Sequence, residues 1–477
     1  MLTVKQLIFK NSAYLFVSDV LVRLISTVAT IALARYLGPS NYGIYGLAFA
    51  LAGVFGYLSE LGTGQTYIRE VTRNHQNISQ LTAGLLKTRV CFAAIATLLA
   101  FVIISQFYAS GLLSTVCLIV VIPTIWGSVL SGFSGSYFTA IQEMGYVAGV
   151  RSVLSVTQAT FIFVAIALNS SLLVLAIAPG ASILVAGVFG AILVRRHFGR
   201  FSGWDKALFA GLTSFAMIGM LGMLAPQLGP LVLEKVSSLD EVGHFAAVYR
   251  IPLLLMQVPL VVISAYYPQL FKFAHHDPEA HFNLSLRELR MISLISVGLV
   301  LPFALEAQWF VDLLFGSQWS GAGKVLSFLC WAVVVYSLNM VLANNLTTLG
   351  LQSQRVKAQS LAISVGLLLY AVLGHYFGAN GGAAAALTLE IVAFAGYAYF
   401  NPRKKRLLSQ SMVCFGQILL AGFFSTILVL LLPRGWQLLR ALAAPVVFYA
   451  GLYLCSNTFR NDIKWVLTGG FLKAETD

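Results

Sequence analysis

Charge is scarce in this chain. Of 477 residues, 10% are Asp, Glu, Lys or Arg, against about a quarter in an average soluble protein. Acidic residues are scarcer still, 17 against 30 basic ones, a formal net charge of +13. With 58% hydrophobic residues, the shortage excludes a single soluble globule, which could not hide so much apolar surface, and it excludes disorder. Cysteines are few: Cys91, Cys117, Cys330, Cys414 and Cys455 all fall in apolar runs. None has metal-ligand spacing, and they form no disulfide framework. A Walker A sequence, a nucleophile elbow and zinc-type His pairs are missing. The chain therefore reads as a non-enzyme with no cofactor and no metal. The first apolar stretch outruns a signal peptide's apolar region and lacks a suitable small-residue cleavage site, so it reads as a retained span. Barrel-type alternation is absent too. What remains is an all-α polytopic membrane protein.

What the chain has is long apolar runs. A hydrocarbon core takes about 20 apolar residues as a helix. That ruler gives fourteen spans, near 13–36, 41–62, 86–108, 112–139, 148–169, 171–194, 207–233, 242–268, 289–315, 323–349, 359–377, 381–400, 411–432 and 438–456. Connections are too short for a separate soluble domain. With the N-terminus inside, 23 basic residues fall on the cytoplasmic side and six outside, while Arg23 stays within a span. This bias predicts both termini in the cytoplasm. The +13 is then mainly an address, and nucleic acid is not needed to explain it.

An internal repeat runs at an offset of 200. LARYLGPSNYGIYGLA from Leu33 falls against LEKVSSLDEVGHFAAV from Leu233. Leu33 meets Leu233, Arg35 meets Lys235, Gly43 meets Gly243, and Tyr45 faces Phe245. Basic clusters at Arg195-Arg196 and at 403–406 close the two copies. Six spans per copy predict two parallel six-helix lobes around a central cavity, plus two C-terminal helices. The expected division is 1–206, 207–406, 407–456 for the added helices, and 457–477 as a cytoplasmic tail.

Ionisable residues inside spans cost several kcal/mol unless paired or wet. Asp19 and Arg23 are i,i+4 in the first span and can pair on one helix face. Glu60 sits near the cytoplasmic end of the second span. Arg250 and Glu306 lie at comparable depths in spans eight and nine, and Glu390 is midway along span twelve. Such groups should line a wet cavity. Arg23 and Arg250 suit an anionic substrate, because guanidinium holds phosphate oxygens bidentately. Arg35 and Lys235 are repeat-related candidates for the same task. Each of these has a structural alternative: an Asp19–Arg23 lock, an Arg250–Glu306 pair, snorkelling anchors at Arg35 and Lys235. Asp19, Glu60, Glu306 and Glu390 are the acidic candidates for cavity lining or ion coupling. Pro226, Pro230, Pro252, Pro259 and Pro268 crowd two neighbouring spans, as hinges or as static breaks. Asn344-Asn345 can pair helices or face the cavity.

Several motifs carry a resemblance. Asn11-Ser12 and LARYLGPSNYGIYG at 33–46 resemble the start of bacterial polysaccharide transporters. FVDLLFG at 310–316 with GKVL at 323–326 looks like that family's span 9–10 connection. LGLQSQR at 349–355 and FGANGGAA at 377–384 are similar to its later joints. The resemblance implies the multidrug/oligosaccharidyl-lipid/polysaccharide exporter superfamily, in its Wzx-type oligosaccharide flippase branch. It implies an undecaprenyl-diphosphate-linked oligosaccharide moved from the cytoplasmic to the periplasmic leaflet of the bacterial inner membrane, for O-antigen, capsule or exopolysaccharide. The diphosphate would then be the anion met by Arg23 and Arg250. A proton or sodium gradient is an open source of drive. Membrane lipids are expected partners, and polymerase and chain-length proteins of the same pathway stay open. Two alternatives remain: a cation-coupled multidrug exporter of the same superfamily, and a membrane polymerase or glycosyltransferase, which would want a large outer loop.

Overall fold

The computed structural model describes residues 4–73, 77–108, 111–199, 201–433 and 435–467, and their side chains except at 4–21, 23, 275 and 463–467. Every regular element among the described residues is helical. In lipid a backbone must satisfy its own hydrogen bonds, and a helix does so within one segment. Among the described residues, twelve helical stretches are long and apolar enough to cross a membrane.

Two of the twelve are double. The first helix, α1, runs Val4–Leu58, and a later one, α15, runs Gln352–Phe400. The 49 residues of α15 would make a straight rod of roughly 70 Å, more than twice the ~30 Å hydrocarbon core. Each is broken at one glycine with a positive φ: Gly38 (φ 71°, ψ 174°) in α1 and Gly378 (φ 57°, ψ −134°) in α15. Pro39 follows Gly38 as the first residue of a new helix, where its missing N–H costs nothing. The two breaks separate runs that the sequence assigns to different spans, 13–36 from 41–62 and 359–377 from 381–400.

The remaining helices are α2 (Thr63–Arg73), α3 (Ile78–Phe107), α4 (Gly111–Ala140), α5 (Met144–Ala167) and α6 (Leu172–Phe198). They are followed by α7 (Leu212–Leu224), α8 (Leu228–Val236), α9 (Leu239–Val248), α10 (Arg250–Leu255), α11 (Gln257–His276), α12 (Pro278–Leu305) and α13 (Ala307–Phe315). Then come α14 (Ala322–Thr348), α15, α16 (Lys404–Leu430), α17 (Gln437–Cys455) and α18 (Asn457–Leu467). The proline-dense stretch is where helices fragment. Pro226 lies in a 3-10 turn between α7 and α8, and α10 is only six residues long with Pro252 inside it. Pro302 precedes the break at Glu306, which ends α12 and starts α13.

The chain forms two compact units, Met1–Ala247 and Val248–Asp477. In the first, α4 packs on α6, and α1 packs on α4 and α5. In the second, α14 packs on α12 and α15, while α16 and α17 lie against α12.

Within the first unit, the two repeat-related segments meet each other. A Cβ on Gly43 would overlap the Leu239 carbonyl oxygen, and a Cβ on Gly243 would overlap the Pro39 carbonyl oxygen. One on Gly46 would stand 2.7 Å from Ala246 Cβ. These are the residues aligned at offset 200, and their reciprocity is that of an isologous two-fold contact. The chain also breaks at the equivalent point in both copies: at Gly38, and at Ser237, which separates α8 from α9. Small residues let the two backbones touch, as in small-xxx-small membrane packing.

Candidate functional site

In the first unit the polar centre is an ion pair inside the membrane-crossing bundle. Glu60 sits in the turn between α1 and α2, where Leu61 (φ 41°) and Gly62 (φ 76°) interrupt the helix. Arg89 of α3 donates from Nη2 to Glu60 Oε1 at 3.0 Å and to Ser136 Oγ of α4 at 3.2 Å. Its Nε donates to Thr63 Oγ1 at 3.0 Å. The guanidinium joins α2, α3 and α4 at one point. Its Nη1 lies against Gly132, where no Cβ could fit, and has no hydrogen-bond partner. The Arg89 side chain is 1% exposed and that of Glu60 39%. Glu60 is thus open on one side and holds a buried cation on the other.

Arg35 is exposed on α1, three residues before the Gly38 break. Lys235, its repeat partner, is engaged at the C-terminal end of α3. Its Nζ donates to Phe107 O at 2.8 Å, lies 2.9 Å from Glu234 Oε2, and stands 3.9 Å over the Tyr108 ring. A cation on the last carbonyls of a helix is favourable there. Asp19 and Arg23 lie outside the residues whose side chains are described.

The second unit holds the other candidates. Glu306, expected opposite Arg250, is seated on Arg440 of α17 at 3.2 Å. Both side chains are about nine-tenths buried. Arg440 also donates from Nη2 to Leu430 O (2.9 Å) and Leu432 O (2.8 Å). The same arginine closes the end of α16 and neutralises the carboxylate in the break between α12 and α13. Leaving those carbonyls and that charge unpaired in hydrocarbon would be costly, which explains a cation at this depth.

Glu390 of α15 is half-buried and accepts from Asn339 Nδ2 of α14 at 2.7 Å; the same Nδ2 reaches the Glu390 carbonyl at 2.9 Å. Tyr249, Tyr336, Tyr370 and Tyr397 are within its electrostatic reach. Arg250 follows Tyr249 in the chain and is half-buried. A carboxylate, an amide and four phenols form a polar cluster inside the second unit. Asn345, one of the paired asparagines, is buried and joins helices: it donates to Ser285 of α12 at 2.6 Å and accepts from Asn401 at 3.1 Å.

Sequence reasoning missed Arg89 and Arg440 by counting them as orientation signals. Both lie inside the apolar runs assigned as spans 86–108 and 438–456, and that position was the available clue. Glu288 and Asp462, both buried, were missed because they lie just outside the assigned spans.

Residues 8–274 match the family described as polysaccharide biosynthesis protein. The chain belongs to this family. A protein of Shigella flexneri assigned as an O-antigen transporter is 22% identical over 338 residues, covering 64% of this chain and 77% of that one. Among solved structures, the lipid II flippase MurJ in an inward closed conformation superposes with a TM-score of 0.75 at 14% identity, over 95% of this chain and 100% of the other. An inward-facing MATE family multidrug resistance transporter of the MOP superfamily gives 0.66 at 14% identity, over 82% and 99%. The fold is therefore that of the multidrug/oligosaccharidyl-lipid/polysaccharide exporter superfamily, and this member of the polysaccharide biosynthesis family is a multi-pass membrane protein.

Proposed function

We propose that this protein flips an undecaprenyl-diphosphate-linked oligosaccharide from the cytoplasmic to the periplasmic leaflet of the bacterial inner membrane by alternating access, feeding O-antigen, capsule or exopolysaccharide synthesis. The observation that carries the reading is the family match over 8–274. The O-antigen transporter assignment of the Shigella relative supports the substrate class. In this reading both termini are cytoplasmic. Arg23 and Arg250 meet the diphosphate, and Arg35 and Lys235 add positive potential near the helix ends. Of Glu60, Glu306 and Glu390, only Glu390 is held by an amide, Asn339, and not by an arginine, which leaves it a candidate for a coupling proton or sodium ion. Glu60 and Glu306, each already holding an arginine, serve to keep helices together.

Deleting the gene should trap repeat units on the inner leaflet and abolish the surface polymer. A deletion strain with normal polymer and no second flippase would refute the reading. Raised drug sensitivity without a glycan defect would favour the multidrug exporter instead. Purified protein in vesicles with labelled lipid-linked sugar separates transport from chemistry, since an enzyme alters the sugar and a flippase changes only its leaflet. In that assay Arg23→Ala should lower the rate more than Arg23→Lys, about tenfold against a few-fold, because a diphosphate wants charge and a planar fork. Equal rates for all three proteins at equal abundance would remove Arg23 from the site.

A further inference from the structure

Glu288 of α12 is fully buried, and neither of its carboxylate oxygens has a hydrogen-bond partner. Among the described residues, no other carboxyl of the second unit is placed this way. Glu306 has Arg440, Glu390 has Asn339, Asp462 has Arg287 (3.5 Å) and Arg290 (2.9 Å), and Glu279 has Arg403 and Arg406 (2.7 Å each). An ionised carboxylate buried without a partner is heavily penalised, so the neutral acid is the form this packing holds.

A column of buried polar side chains leads to it. It begins at the exposed Glu279–Arg403–Arg406 cluster. The Arg403 N–H donates to Asn401 Oδ1 at 2.9 Å, and Asn401 Nδ2 donates to Asn345 Oδ1 at 3.1 Å. Asn345 Nδ2 donates to Ser285 Oγ at 2.6 Å, and Ser285 donates to the His281 carbonyl at 2.8 Å. His281 Nε2 lies 2.9 Å from Thr348 Oγ1, whose own hydrogen goes to Asn345 O. That hydroxyl therefore accepts, which puts a proton on His281 Nε2. Glu288 comes next on this face, three residues after Ser285 and about 4.5 Å further along the helix. Every polar member of the column is satisfied until the carboxyl at its end.

Neither oxygen accepts from a basic side chain. α11 faces Glu288 with Tyr266. α14 faces the column with Asn345 and Thr348, which do not titrate. Elsewhere along α12, Cys414 of α16 lines a small cavity with Arg290 and Asp462, and the Tyr449 hydroxyl of α17 donates to Leu294 O at 3.2 Å. Arg287 and Arg290 of the same helix hold Asp462 of α18.

We propose that Glu288 is a proton-binding site, loaded in this packed state and emptied when α11, α12 and α14 part enough to admit water. On deprotonation the carboxyl proton passes to water at the opened column, and the carboxylate stays hydrated until the helices close. Its link to a transport cycle rests on the flippase reading; the proton site itself does not.

The test is an infrared comparison of the purified full-length protein, wild type against Glu288→Gln and Glu390→Gln. Wild type should show a protonated-carboxyl band at neutral pH that is lost in Glu288→Gln and kept in Glu390→Gln. Glu288→Asp should displace the band, which keeps the assignment decidable if the Gln variant misfolds. A band unchanged in Glu288→Gln and Glu288→Asp overturns the site. In vesicles, one proton per cycle and a gradient of one pH unit should shift the leaflet ratio of labelled lipid-linked sugar about tenfold. Glu288→Gln should lose that shift, and an equal shift in wild type and variant would overturn the coupling. If wild type moves no lipid-linked sugar at all, the flippase reading fails while the infrared result still decides the proton site.

Discussion

Gly43→Ala should cost about 3 kcal/mol or more, at the top of the range for overpacking a closed contact. The added methyl would meet the Leu239 carbonyl oxygen, with the Gly243 nitrogen 3.1 Å away on the same helix. Backbone cannot turn aside as a side chain can, so α1 and α9 must separate along the whole crossing. Gly243→Ala should act alike, because the crossing is reciprocal and its methyl meets Pro39 O. The helices need part only once, so the double variant should cost little more than either single one, a coupling expected for residues in direct contact. Gly149→Ala in α5 is the control. Nothing lies within 4 Å of its Cβ, and alanine should gain up to about 1 kcal/mol from helix propensity. Thermal unfolding in detergent, read with the monodisperse fraction, measures all four. If Gly43→Ala melts with wild type, the crossing does not hold the first unit together.

This crossing shows what a one-dimensional reading could reach. The repeat at offset 200 was visible as Gly43 over Gly243, but alignment says only that two positions are equivalent. That equivalents touch is a property of a two-fold axis and needs coordinates. The apolar runs were legible because bilayer thickness fixes helix length, and length survives without knowledge of neighbours. The breaks were half legible. Gly38-Pro39 reads as a join between spans, yet the structure turns there at one residue, and the proline crowd reads as a hinge or a break, yet yields fragments such as α10.

Site residues were legible by depth and not by partner. Glu60, Glu306 and Glu390 were singled out because each lies within a span, and all three do hold polar partners. Those partners depend on which helix passes opposite. Arg440 reaches Glu306 from 134 positions away and Arg89 reaches Glu60 from 29. Arginines near span ends look like topology signals on a linear map. Only the third dimension shows that Arg89 points inward, between Ser136 and Thr63.

That inward arginine sets the last expectation: Glu60→Ala should be more damaging than Arg89→Met. A guanidinium does not give up its proton in proteins, so removing Glu60 strands a cation that is 1% exposed. Thr63 Oγ1 and Ser136 Oγ remain as neutral acceptors and do not cancel the charge. Breaking a buried pair in this way costs about 3–5 kcal/mol. Arg89→Met keeps an unbranched apolar stem and leaves a carboxylate that is 39% exposed, so the loss should be nearer 1 kcal/mol, as for exposed pairs. The double variant Glu60→Ala/Arg89→Met should then be more stable than Glu60→Ala alone, since the second change removes the stranded charge. Melting temperatures of the three proteins check the order, and a worse melt for Arg89→Met than for Glu60→Ala would contradict the burial argument. Glu60→Gln keeps an acceptor for Arg89 and should melt between wild type and Glu60→Ala. A well-folded Glu60→Gln that fails to move lipid-linked sugar would show that Glu60 takes part in transport as well as holding α2, α3 and α4 together.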